Sequence, residues 1–135
     1  MKTELSPRLI DELKRSARQA ATQAYAPYSR FQVGAAVLCG DSVYTGVNVE
    51  NASYGLSVCA ERSAIFNAVA RGARRIDAIC VYTPTSAPVT PCGACLQVIA
   101  EFGRDALIVC CADDDAAEQR HALADLLPAP FQLNK

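Results

Sequence analysis

Three cysteines and one glutamate stand in this chain at spacings that suit a catalytic metal. Cys59-Ala60-Glu61 forms one group and Pro91-Cys92-Gly93-Ala94-Cys95 the other. Two residues separate Cys92 from Cys95, the interval at which two thiolates at a helix start reach one tetrahedral ion such as zinc. A helix N-terminus also favours thiolate over thiol, because its unpaired N–H groups and the helix dipole stabilise negative charge. Cys59 lies near a second expected helix start and supplies a third sulfur if the two starts converge. Three protein ligands would leave the fourth position to water, which distinguishes a catalytic site from a closed structural one. A metal acidifies such a water, though three electron-rich thiolates acidify it less than three histidines would. A base beside it is then useful, and Glu61 stands two residues from Cys59.

For a Cys-x-x-Cys pair taken alone, a redox couple, a structural zinc site and chance core residues together outweigh a catalytic site. A redox couple needs neither Cys59 nor Glu61. A structural site asks for a fourth ligand, and Cys39, Cys80, Cys110 and Cys111 complete the seven cysteines. Each of these four falls in an expected strand, so they read as core or sheet residues. His121 is the one histidine and belongs to neither group, so it is assigned no role and the metal must rely on sulfur.

The elements that must position these groups can be read from periodicity and punctuation. Residues 6–24 read as a helix, with Ser6 as its cap, Pro7 in its first turn and Leu9, Leu13 and Ala17 at helical spacing. Residues 33–39 and 43–49 read as two strands joined by a tight turn at Gly40-Asp41-Ser42. A second helix spans 58–71 and stops at Gly72; a third strand spans 76–82. Pro91 opens a third helix that runs to about Phe102 and closes at Gly103. Residues 106–111 form an apolar strand, covered on both faces. Residues 118–127 have helical composition, with an edge strand possible at their start. The alternation predicts a layered α/β domain in which the last two of these four strands are parallel and helices cover both faces. Parallel layering brings helix starts to one edge of the sheet, which is where Cys59 would meet Cys92 and Cys95.

The chain has 135 residues, 51% hydrophobic and 20% charged, with a formal net charge of −1. Those values fit one domain, residues 1–135, and argue against disorder. Near-neutral charge argues against a nucleic-acid partner, which would need a basic surface to neutralise phosphates. No apolar run approaches the ~18–20 residues that span a bilayer, so no membrane partner is expected. Met1-Lys2-Thr3-Glu4-Leu5 lacks the apolar stretch of a secretory signal, and the expected location is the cytoplasm.

The chain resembles the small zinc-dependent cytidine deaminases, and the likeness runs over nearly its whole length. It rests on Tyr28-Ser29-Arg30-Phe31-Gln32-Val33-Gly34-Ala35 and Asn48-Val49-Glu50-Asn51-Ala52-Ser53-Tyr54-Gly55. It continues through Cys59-Ala60-Glu61-Arg62, Pro91-Cys92-Gly93-Ala94-Cys95-Leu96-Gln97 and Leu126-Leu127-Pro128-Ala129-Pro130-Phe131. The resemblance implies a three-layer α/β/α fold with a mixed five-stranded sheet, the fifth strand falling within 117–122. It implies hydrolysis of cytidine and 2′-deoxycytidine to the uridine products in pyrimidine salvage. Cys59, Cys92 and Cys95 would hold one Zn2+ per subunit, with Glu61 as proton shuttle between water, the pyrimidine N3 and the leaving amine. Asn48 and Glu50 would bind the ribose 3′-hydroxyl, Phe31 the base, and the backbone N–H of Ala60 the pyrimidine carbonyl. Ala52 and Tyr54 would lie at a subunit border near the 5′ end of the sugar. Phe131 would approach the base from a neighbouring subunit of a homotetramer with shared active sites.

Other readings stay open at this point. A related deaminase could act on a different aminopyrimidine, although the Asn48–Glu50 pair suits a free ribose. A structural zinc or thiol-redox module is the alternative from another class, and it has no use for Glu61. One position departs from the family pattern: Leu96 follows the last cysteine where arginine is common. Zinc with three thiolates carries a net charge of about −1, so Arg62 is expected to take more of the task of offsetting it.

Overall fold

A computed structural model describes residues 5–133 of the chain. The N-terminal reading of Met1 to Glu4 falls outside them. Helix α1 spans Pro7–Ala21, capped by Ser6, whose hydroxyl accepts from the Leu9 N–H at 3.2 Å. It ends before residue 24 because Thr22 and Gln23 turn back to carbonyls three residues earlier, those of Gln19 and Ala20, which tightens the last turn. The hairpin β1 (Gly34–Cys39) and β2 (Ser42–Val47) follows. Its two-residue turn starts at Gly40, whose φ of 62° suits a residue without a side chain.

A single 3₁₀ turn, Tyr54–Leu56, precedes α2 (Ala60–Ala70). Then come β3 (Ala78–Tyr82), α3 (Gly93–Phe102), β4 (Leu107–Cys111), β5 (Gln119–Ala122) and the one-turn α4 (Leu123–Leu126). The five strands form one mixed sheet in the order β2-β1-β3-β4-β5. Only β3 and β4 pair in parallel; the other three pairings are antiparallel. The segment expected to be mainly helical, 118–127, is strand first and helix second. Its strand is held by pairing with β4, from Leu107 opposite Ala122 to Cys110 opposite Gln119.

Alternation along the strands splits the core into two layers. Ala36, Leu38, Ala78, Cys80, Val109 and Cys111 face Ile10, Leu13 and Ala17 of α1. Ala35, Val37, Ile79, Val81, Ile108 and Cys110 face the opposite way, onto α2 and α3. The layering is therefore α/β/α. Gly46 lets α2 settle directly on the hairpin, since a Cβ there would lie 2.1 Å from the Ala64 backbone nitrogen. No described helix is long and apolar enough to cross a membrane.

Candidate active site

Helices α2 and α3 lie on the same face of the sheet and each runs back towards the start of the next parallel strand. Both therefore begin at the carboxyl edge of β3 and β4, the edge where ligands bind in open α/β sheets. Cys59 is the N-cap of α2 and Cys92 the N-cap of α3. Cys95 stands at the third residue of α3, where a side chain reaches back over the cap. The three sulfurs lie within 4.8 Å of one another, and those of Cys92 and Cys95 are 3.6 Å apart. Tetrahedral ligation at ~2.3 Å would place two sulfurs about 3.8 Å apart, so the trio fits zinc with little adjustment. No fourth Cys, His, Asp or Glu joins this group among the described residues.

The same cap geometry recurs on α2 with a cation in place of the second sulfur. Arg62, three residues after Cys59, donates from Nη2 to the Cys59 sulfur at 3.5 Å. The Cys95 thiol and the Arg62 guanidinium hold Cys59 down to about 5, against the opposing pull of burial. Arg62 in turn is held more firmly protonated, first by that bond to Cys59. Its Nε finds no acceptor among the described residues. Leu96 is buried in the core cluster with residues of α2 and the sheet.

Glu61 follows Cys59 and Ala60 into the first turn of α2. It is 6% exposed, and burial pushes its carboxyl up to about 7, with the charge on Cys59 adding to the rise. A cavity of about 270 Å³ opens beside it, bounded by Phe31, Val33, Asn48, Cys59, Ala60, Glu61, Val81, Thr83, Val89, Thr90 and Cys92. The cavity is walled largely by apolar groups, with a few polar groups converging on it, as small-molecule sites are. The N–H of Ala60, first residue of α2, has no partner within the helix and is free for a ligand carbonyl.

Asn48 spends much of its amide on backbone. Its Nδ2 donates to the Phe31 carbonyl at 2.7 Å and its Oδ1 accepts from the Val33 N–H at 2.9 Å. It thereby fixes Phe31 and Val33 on the cavity wall and keeps one N–H for a ligand. Glu50 belongs to a separate depression of about 230 Å³ with Tyr28, Ser29, Tyr54 and Ser57. Its carboxylate accepts from the Tyr28 and Ser29 N–H groups, each at 3.0 Å, and from the Ser29 hydroxyl. These bonds, that of the Ser29 side chain foremost, hold its pKa below the usual carboxylate range. Tyr54 packs edge-on against Tyr28, with centroids 5.8 Å apart. Ala52 is exposed and lines neither hollow.

Phe131 is absent from the cavity of its own chain and is 73% exposed. Its backbone is clamped by Gln97 of α3, which donates to its carbonyl and accepts from its N–H, both at 3.0 Å. The cavity thus gathers Cys59, Cys92, Glu61, Ala60, Phe31 and Asn48, with Cys95 at the sulfur trio; Glu50, Tyr54, Ala52 and Phe131 lie elsewhere. Reading the sequence missed Thr83, Val89 and Thr90 on the cavity wall and gave Gln97 no task. A signal for Thr83 existed, since it directly follows an apolar strand whose carboxyl end faces the site.

Comparison with known proteins agrees with this geometry. Residues 8–111 match the family model of the cytidine and deoxycytidylate deaminase zinc-binding region. A cytidine deaminase of Halalkalibacterium halodurans is 49% identical over 120 residues, covering 88% of this chain and 91% of that protein. One from Sporosarcina psychrophila is 43% identical over 123 residues, 90% of each chain. The crystal structure of a cytidine deaminase from Burkholderia pseudomallei superposes with a TM-score of 0.86 at 43% identity, over 94% of this chain and all (100%) of that one. With its sulfur trio, buried carboxyl and mixed five-stranded sheet, the chain belongs to the cytidine and deoxycytidylate deaminase family and is a zinc-dependent hydrolytic deaminase.

Proposed function

We propose that this protein hydrolyses cytidine and 2′-deoxycytidine to uridine and 2′-deoxyuridine, releasing ammonia, as a step of pyrimidine salvage in the cytoplasm. One observation carries the reading: three sulfurs within 4.8 Å of one another border a small cavity beside a carboxyl that is 6% exposed. The relatives named above as cytidine deaminases support the choice of nucleoside.

In this reading Cys59, Cys92 and Cys95 would hold the zinc ion, which would supply Lewis acidity and acidify water. Glu61 takes one proton from the attacking water and gives it to the pyrimidine N3 as the oxygen bonds to C4. It then passes the remaining hydroxyl proton to the amine, which leaves as ammonia when the C4–N bond breaks. A carboxyl held near neutrality by burial is suited to both directions of that traffic. The Ala60 N–H receives the pyrimidine carbonyl, while Phe31 packs against the ring. Asn48 offers its remaining N–H to the ribose 3′-hydroxyl, and Glu50 accepts from it with the sugar spanning the two hollows. Arg62 offsets the negative charge of the sulfurs. Ala52, Tyr54 and the exposed Phe131 serve a border between subunits; the family resemblance makes the active assembly a homotetramer with shared sites and one domain per chain.

The test is an ultraviolet assay of purified protein with cytidine, with zinc measured on the same sample. Turnover with about one zinc per chain is the expected result. Zinc-free protein with full activity, or zinc-loaded protein with none, would remove the reading.

A further inference from the structure

Thr83 is a polar wall of the cavity to which none of the roles above assigns a task. It lies one residue beyond β3 and is 4% exposed. It bounds the cavity together with Glu61, Asn48 and Phe31. Its hydroxyl is 2.8 Å from that of Thr85, and from this contact alone either oxygen could be the donor. The next bond decides. Thr85 Oγ1 donates to the Ala87 carbonyl at 2.6 Å. A carbonyl only accepts, and a threonine has one hydroxyl proton. The Thr85 proton is therefore committed to Ala87, and Thr83 must give its own proton to Thr85. Bonds in such a chain polarise one another in the same sense. What Thr83 has left for the cavity is a lone pair, and no other described protein group hydrogen-bonds its oxygen.

We propose that Thr83 is a specificity residue of this site, an acceptor-only hydroxyl that takes a hydrogen bond from the exocyclic amine of the substrate and disfavours the 4-oxo product. The proposal rests on the deaminase reading above and deepens it. On the reacting edge of an aminopyrimidine the amine is the only donor; N3 and the ring carbonyl both accept. That amine has two N–H groups. Glu61 handles the reacting protons, and Thr83 receives the amine. After hydrolysis position 4 carries a carbonyl, and its lone pairs would face those of Thr83. Two opposed acceptors in a largely apolar cavity leave both poorly satisfied, a penalty larger than the gain from one good bond. Thr83 thus helps to hold substrate and to release product.

The test uses the zinc-loaded enzyme and reads two quantities, kcat/KM for cytidine and the inhibition constant of uridine. Thr83→Val keeps the shape and removes the acceptor. It should lower kcat/KM for cytidine about three- to tenfold while leaving the uridine constant unchanged or tighter. Thr83→Ser keeps the acceptor and should restore near wild-type values. Thr85→Val frees the Thr83 proton to turn into the cavity and should tighten uridine by a similar factor. A merely structural role would move the two constants together. Equal changes for cytidine and uridine in Thr83→Val overturn the proposal, as does an unmoved uridine constant in Thr85→Val. The second variant keeps the test decisive if the first folds poorly. A wild-type enzyme with no turnover of cytidine would overturn the deaminase reading itself, and this proposal with it.

Discussion

Cys92 and Cys95 hold their sulfurs 3.6 Å apart at the start of α3, and Cys80 and Cys111 hold theirs 3.6 Å apart between β3 and β4. The residue type and the separation are the same, yet the two pairs have different chemistry available to them. At the helix start the sulfurs meet unpaired N–H groups, the Arg62 guanidinium and an open cavity. In the sheet both thiols are fully buried against α1, and their first interaction is with each other. That bond, and then burial, pushes the Cys80 thiol up; the same bond pulls Cys111 down. A third sulfur is available in sequence at Cys110, but strand alternation turns it to the opposite face. Thiol spacing therefore does not make a metal site. Backbone polarity, a third ligand on the same side and access for a ligand do.

The strongest way to break this comparison is to remove one member of each group. Cys92→Ala should abolish both zinc binding and turnover and lower thermal stability, because a ligand set is also a clamp between two helix starts. Metal analysis and a melting curve read it, and a folded, active, zinc-free variant would erase the distinction drawn above. Glu61→Ala separates the chemistry from the clamp. It should keep about one zinc per chain and lose on the order of 10²–10⁴-fold in kcat; near wild-type turnover would deny Glu61 its role.

Arg62→Gln probes the charge that accompanies the helix-start sulfurs. Zinc affinity should fall roughly 10–100-fold in a competition titration with a chelator. An unchanged affinity would show that helix starts suffice without the guanidinium. The smallest effect is expected from Cys80→Ala, a loss of one buried sulfur of the sheet pair. Stability should drop by about 1 kcal/mol, a few degrees in the melting temperature, with zinc content and kcat/KM untouched. Loss of metal in that variant would mean that the two groups are coupled after all.

Reading the chain residue by residue located most of the fold, within a few residues at each end. Local punctuation did this: Ser6 and Pro7 open α1, and Gly40 turns the hairpin. It failed at β5 because Gln119-Arg120-His121-Ala122 carries no β-branched or aromatic residue. Those residues are extended because the edge of β4 offers hydrogen bonds to them, which no local pattern records. Gln97 shows the same limit. Its amide clamps a residue far along the chain, and the clamp is invisible until α3 and the C-terminal segment are side by side. The separation of Asn48 and Glu50 into two hollows is a third case: alternation along an extended segment would put residues two apart on one side, yet they border different hollows.

The donor set was legible in the sequence by itself. The relation of a cap to the third residue after it is local to a helix, so Cys92 with Cys95 could be read as a pair from spacing, while Arg62 is legible only through the family pattern and the charge of the sulfurs. The meeting of that pair with Cys59 and Arg62 was decided only by the tertiary structure. It requires α2 and α3 to pack on one face of the sheet and to start at the same edge. That follows because α2 leads from β2 to β3, α3 leads from β3 to β4, and these three strands run the same way. The direction of the Thr83 proton was decided there too. It depends on which oxygens the chain brings within reach of Thr85, and hydrogen-bond polarity is a property of positions in space rather than of order along a chain.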